Sequence, residues 1–203
     1  MDADPAMPSR RPLCLQGGLC LIGEALVETT LLIEDGVIAS IGEAAPAGAR
    51  RLDARGLRIL PGLVDVHGDA FERQIMPRTN VHFPMPLALA DTDRQLAANG
   101  ITTAYHGLTL SWEPGLRSVA AGRTFMDALD AARPTLSVDN RVQLRWETYA
   151  FEAVDSVLEW IGGPGRPALA FNDHMAATMR RIKNNDMAKI RDWSARAGLT
   201  QDE

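Results

Sequence analysis

The hydrophobic and polar positions divide the chain into blocks of two different periods. From Leu13 to Leu57 the apolar residues come in short runs that read as strands. Leu31-Leu-Ile-Glu34 and Val37-Ile-Ala-Ser-Ile41 flank Asp35-Gly36, a pair that accepts the positive φ angles of a two-residue hairpin. Leu60-Pro-Gly-Leu-Val-Asp-Val-His-Gly-Asp69 then opens a second regime, an apolar strand that turns ionisable at its exit. In regular alternation it shows Leu63, Asp65, His67 and Asp69 on one face and Val64, Val66 and Gly68 on the other. A connection without evident periodicity runs from Ala70 to Met85, and loops of that length are often functional.

Beyond it, strand and helix patterns alternate. A helix is predicted from Pro86 to Asn99 with Gly100 closing it, then a strand over Ile101–His106 and a helix from Leu116 to Arg133 stopped by Pro134. Val142, Leu144 and Trp146 alternate with Gln143, Arg145 and Glu147 in a third strand of two unlike faces. Phe151 to Ile161 reads as a helix and Pro167 to Phe171 as a fully apolar fourth strand ending in Asn172-Asp-His174. Met187, Ile190, Trp193 and Ala197 mark a last helix before Gly198. Strand–helix repeats at this spacing predict βαβ units and a parallel sheet. The expected fold class is therefore α/β: a flexible arm over 1–12, a small β-domain over 13–58, and about four βα units over 59–203, half of the eight in a closed TIM-like (β/α)8 barrel. Thr200-Gln-Asp-Glu203 has the form of a capping box, which makes sense if another helix follows, so the chain reads as the front half of a longer enzyme or a natural truncation.

Composition narrows the function without choosing it. The 203 residues are 46% hydrophobic and 23% charged, ordinary for a globular protein. A formal net charge of -5 argues against general affinity for nucleic acid or anionic membrane, so an anionic substrate must be met by local arginines or a metal. Cys14 and Cys20 form no disulfide framework or metal knuckle and read as buried thiols. The N-terminus lacks a signal-peptide pattern and no apolar run approaches the roughly 20 residues that span a bilayer, so a cytoplasmic protein is expected.

Candidate chemistry gathers at strand ends, where barrel enzymes hold their active sites. His67 and Asp69, two apart, direct an imidazole and a carboxylate to the same side and can share a metal ion. His174 is a candidate ligand or substrate contact, with Asp173 as its orienting partner or a helix cap. Arg73, Arg78 and Arg145 can clamp phosphate or phosphonate oxygens, Arg78 first because it lies in the long connection. His82 and His106 read as structural or exposed. No Walker loop, nucleophile elbow or Gly-x-Gly-x-x-Gly occurs.

The run from Ile33 to Gly42, then Leu60-Pro-Gly-Leu-Val-Asp-Val-His67, resembles the N-terminal signature of the amidohydrolase superfamily. His67-Gly-Asp69, Pro77-Arg78, Gly100-Ile-Thr-Thr103, Leu144-Arg-Trp-Glu147 and Asp173-His174 are similar to its diphosphatase branch, which degrades phosphonates and carries His-x-Asp where most relatives carry His-x-His. Two departures are His106, where an acidic residue is expected, and Gly68-Asp-Ala70 in place of Thr-Asp-Asn. The resemblance implies a divalent metal (zinc, manganese or iron) held by His67 and Asp69 and completed or bridged by Glu147, with Arg78, His174 and Arg73 toward the substrate. It implies hydrolysis of a ribosyl alkylphosphonate triphosphate with release of pyrophosphate, the general base lying beyond Glu203. The expected partner is a small phosphorylated or phosphonate sugar, and a homo-oligomer is compatible with it. Two alternatives stay open: hydrolysis of a C–N bond in a cyclic amide or amidine, and an inactive half-barrel.

Overall fold

The computed structural model describes residues 11–78 and 81–200, so the expected arm up to residue 10 and the end of the capping box at Gln201–Glu203 lie outside the described residues. The chain forms two compact units, one ending at Pro61 and the other beginning at Gly62. The first is a β-sheet of β1 (Leu13–Ile22), β2 (Ala25–Glu34), β3 (Val37–Ile41), β4 (Arg50–Asp53) and β5 (Arg58–Ile59). Its order is β3-β2-β1-β4, with β5 also pairing β1. The β2–β3 hairpin turns at Asp35 and Gly36, at φ 49° and 82°, the conformation that the twist of the flanking strands selects. Cys14 and Cys20 are buried and free. Asp53 and Arg55 form an exposed pair in which the guanidinium's hydrogen bonds hold the carboxyl down at about 2.

The second unit carries a four-stranded parallel sheet ordered β6-β7-β8-β9. It follows the chain as β6 (Leu63–Gly68), α1 (Ala70–Ile75), α2 (Met85–Ala98), β7 (Ile101–Leu110), α3 (Val119–Ala132), β8 (Asp139–Glu147), α4 (Val154–Gly162), β9 (Ala168–Asn172), α5 (Met175–Lys183) and α6 (Met187–Ala197). This is a parallel half-barrel of four strands. Leu108 and Leu110 of β7 and Val142 and Leu144 of β8 share one buried core with Phe125 and Leu129 of α3 and Val157 and Trp160 of α4. The opposite face of the same strands carries Thr109, Gln143, Arg145 and Glu147. Among the described residues no helix is long and apolar enough to cross a membrane.

Three local expectations are corrected. The Ala70–Met85 connection is not wholly irregular: α1 forms because Phe71 and Ile75, four apart, both reach the core. Helix α5 has no counterpart in the predicted pattern, although Met175, Met179 and Ile182 fall at helical spacing; none of its residues is buried. The third correction concerns β6, which does not alternate regularly. Asp65 is level with Ala104 and Gly68 with His106, so three steps on β6 oppose two on β7. Neighbours level in a parallel sheet point to the same side, which puts Asp65 with Ala104 and His106 toward the helices. The extra residue turns His67 the other way, onto Gln143. The peptide N–H of His67 donates to Asp65 Oδ1 at 3.0 Å, tying the bulge to its own carboxylate.

His106 is therefore a core residue. Its ring stacks edge-on against Phe71 and Phe125 at 5.4 and 5.8 Å. Its Nε2 donates to Asn140 Oδ1 at 2.7 Å, and Asn140 in turn donates to Asp93, which also accepts from the Ser137 and Val138 amides. Burial holds the His106 imidazole below its ordinary value of 6.5, outweighing the Asn140 bond and the nearby Asp65, which favour the charged form. The folded chain thus binds fewer protons here than the unfolded chain. Stability from this group is complete above the unfolded value and is lost as pH falls from there toward the folded one. Denaturant midpoints taken from about pH 7.5 to 5 should fall more steeply for wild type than for His106→Gln.

Candidate active site

The C-terminal ends of the parallel strands open into a cavity of about 680 Å3, within the range of small-molecule sites. Thr109 lies near the end of β7 and Ser111 just after it, Arg145 and Glu147 end β8, His174 follows β9, and Arg181 and Lys189 come from α5 and α6. The strands deliver these side chains because alternate residues of β7 and β8 face away from the helices. Thr109 is level with Arg145, and Glu147 with Asn172.

Glu147 is 5% exposed and fully occupied. His174 Nδ1 lies 2.5 Å from its Oε1, and the His174 peptide N–H donates to its Oε2 at 3.2 Å. Two donors from one residue thus replace the water that a buried carboxylate gives up. The His174 side chain is 56% exposed, and its Nε2 makes no hydrogen bond among the described residues. A carboxylate that fixes one ring nitrogen leaves the other ready to take or give a proton. Asp173 does not orient His174: its Oδ1 accepts from the Met175 amide at 3.1 Å, while His174 holds the N-cap position of α5.

Arg145 crosses this face beside Glu147. A Cβ on Gly107 would come within 2.9 Å of Arg145 Cδ, so glycine there makes room for the arginine stem. Arg145 Nε, Thr109 Oγ1 and Asn172 Nδ2 are buried without a hydrogen-bond partner. A buried donor in that condition costs about 1–3 kcal/mol, more than a fold tolerates repeatedly without cause. Arg117 also lines the cavity but is committed to Glu72 through a two-pronged ion pair at 2.8 and 3.0 Å. Burial alone would lower the Arg117 guanidinium; the Glu72 bonds reverse this and raise it.

The other sequence-predicted residues are placed apart from this cavity. His67 Nδ1 bonds Gln143 Oε1 on the same strand face. Glu147 lies four residues further along β8, roughly 13 Å at about 3.3 Å per residue. Asp69 stands at the N-terminus of α1, with no cap bond from its side chain. Arg73 is exposed in the last turn of α1, and Arg78 is exposed where it bridges to Val81; neither lines the cavity. Among the described residues no three His, Cys, Asp or Glu side chains gather closely enough to hold a metal ion. The structure thus brings Glu147 and His174 together and leaves His67 with Gln143. Thr109, Gln143, Asn172 and Arg181 were not candidates from sequence. The alternation of β8 already put Gln143 on the face of Arg145 and Glu147, which was the signal for it.

No protein-family model matches the chain. Over 85 residues, 42% of the chain, it is 28% identical to alpha-D-ribose 1-methylphosphonate 5-triphosphate diphosphatase of Escherichia coli (strain K12), covering 22% of that protein. Over 128 residues, 62% of the chain, it is 33% identical to adenine deaminase of Methylobacterium sp. (strain 4-46), covering 19%. The chain thus spans about a fifth of the length of these relatives. A solved D-hydantoinase superposes with a TM-score of 0.50 at 24% identity over 73% of this chain and 31% of that one, a likeness of fold. The curated relatives support the amidohydrolase superfamily over the matched part of the chain.

Proposed function

We propose that this chain supplies part of the active site of a hydrolase that cleaves a phosphoanhydride of a small phosphorylated or phosphonate sugar and releases pyrophosphate. The observation that carries the reading is the Glu147–His174 pair in a cavity edged by Arg145 and Arg181 at the C-terminal ends of parallel strands. Glu147 holds the Nδ1 proton of His174, so Nε2 accepts the proton of an attacking water. The water oxygen bonds phosphorus as the bridging P–O bond breaks, and the electron pair leaves with pyrophosphate. The Arg145 guanidinium offsets charge that grows on the phosphoryl oxygens. The diphosphatase likeness supports this choice of substrate.

A divalent ion, zinc, manganese or iron, belongs to the same proposal, with His67 and Asp69 as its first contacts and Glu147 as a third. As arranged among the described residues, the three do not fit one ion. Metal content after dialysis tests this assignment. Wild type should retain manganese or zinc and His67→Ala should not; equal retention removes His67 from the site.

A second reading is hydrolysis of a C–N bond, favoured by the likeness to an adenine deaminase. A product assay separates the two. Pyrophosphate released from a ribosyl alkylphosphonate triphosphate is the expected result. Ammonia from adenine, or ring opening of a cyclic amide, without pyrophosphate would replace the first reading by the second.

A further inference from the structure

We propose that Thr109, Arg145 and Asn172 form a subsite for an oxyanion of the substrate, a phosphate or carboxylate group bound beside the Glu147–His174 pair. The inference deepens the hydrolase reading and rests on it for the word substrate; the binding itself does not. Three adjacent strands each end in a donor whose buried polar atom has no partner: Thr109 Oγ1 on β7, Arg145 Nε on β8 and Asn172 Nδ2 on β9. Register places them on one face, Thr109 level with Arg145, and Asn172 level with Glu147 two residues on. Thr109 is 4% exposed and lines the cavity, with its hydroxyl oxygen hidden from bulk water. All three groups can donate, which suits an acceptor-only ligand.

The charges around the subsite agree with this. Arg145 and Arg181 line the cavity without an ion pair among the described residues, whereas Arg117 is held by Glu72 and Lys189 by Asp192. Glu113 and Glu147 also line it, and an anion must be kept from them. Both oxygens of Glu147 already accept from His174, which turns that carboxylate's hydrogen-bonding capacity away from the ligand. Gly107 belongs to the same device, since any side chain there would push the Arg145 stem off its path.

Calorimetric titration of the full chain with inorganic pyrophosphate, phosphate and acetate tests the subsite. Pyrophosphate or phosphate should bind wild type, with affinity falling at least about tenfold in Arg145→Gln and in Thr109→Val and partly recovering in Arg145→Lys. Binding of acetate instead, lost in the same variants, would keep the subsite and make its ligand a carboxylate. Thermal unfolding of each variant shows whether it is folded, and Thr109→Val, which changes shape least, carries the result if the arginine variants are not. No binding by folded wild type, or equal binding by folded wild type and Thr109→Val, overturns the proposal. Anion binding that persists in a chain with no hydrolytic activity would sink the catalytic reading and leave the subsite standing.

Discussion

Glu147→Ala is expected to lower turnover by about 10²–10⁴-fold, the range in which a positioned acid–base group contributes. The reason lies in what Glu147 holds. Its carboxylate receives both the Nδ1 proton and the peptide N–H of His174, so truncation frees the imidazole to rotate and to exchange tautomers. It also leaves a peptide N–H at the start of α5 without its acceptor, which should cost about 1–3 kcal/mol of stability. Glu147→Gln separates the two effects. The amide keeps the volume and one acceptor oxygen but offers no charge to an imidazolium, so stability should largely recover while turnover does not. Steady-state kinetics beside denaturant titration reads both. A kcat unchanged in folded Glu147→Ala would remove the pair from the chemistry.

Phe125→Ala should lower the stability of the second unit by about 3–5 kcal/mol. Phe125 is 1% exposed at the centre of the second unit's core. Its ring lies 4.7 Å from Phe71 and 5.8 Å from His106, so one deletion opens a void that touches α1, α3 and β7 together. Those neighbours come from the helix side of the sheet, whereas the cavity opens on the other. Denaturant unfolding followed by tryptophan fluorescence measures the loss. A change below about 1 kcal/mol would mean that the core relaxes to fill the space.

Much of the fold was legible because its elements obey simple periods. The hairpin at Asp35-Gly36, helix α2 before Gly100 and helix α6 before Gly198 follow from local chemistry alone, and the two glycines take φ 76° and 71° just past the helix ends. Helix α5 was passed over although Met175, Met179 and Ile182 stand at helical spacing, a stripe of only three residues that the fold leaves unburied. The bulge in β6 was not legible. Alternation assumes a regular pleat, and nothing in Asp65-Val-His67 announces the extra residue that parts Asp65 from His67. The candidate site was half visible. Glu147 and His174 each stood at a strand exit, but their pairing depends on β9 lying beside β8 in a register only the fold reveals. The orphaned donors are less visible still, because a threonine and an asparagine carry no signal until burial strips them of water.

Glu147 presents His174 in one tautomer, and nitrogen-15 spectra of the histidine rings read that directly. At a pH where the ring is neutral, wild type should show His174 protonated at Nδ1, and Glu147→Gln should lose that preference. A ring protonated at Nε2, or one averaging freely between tautomers in wild type as in the variant, would contradict it.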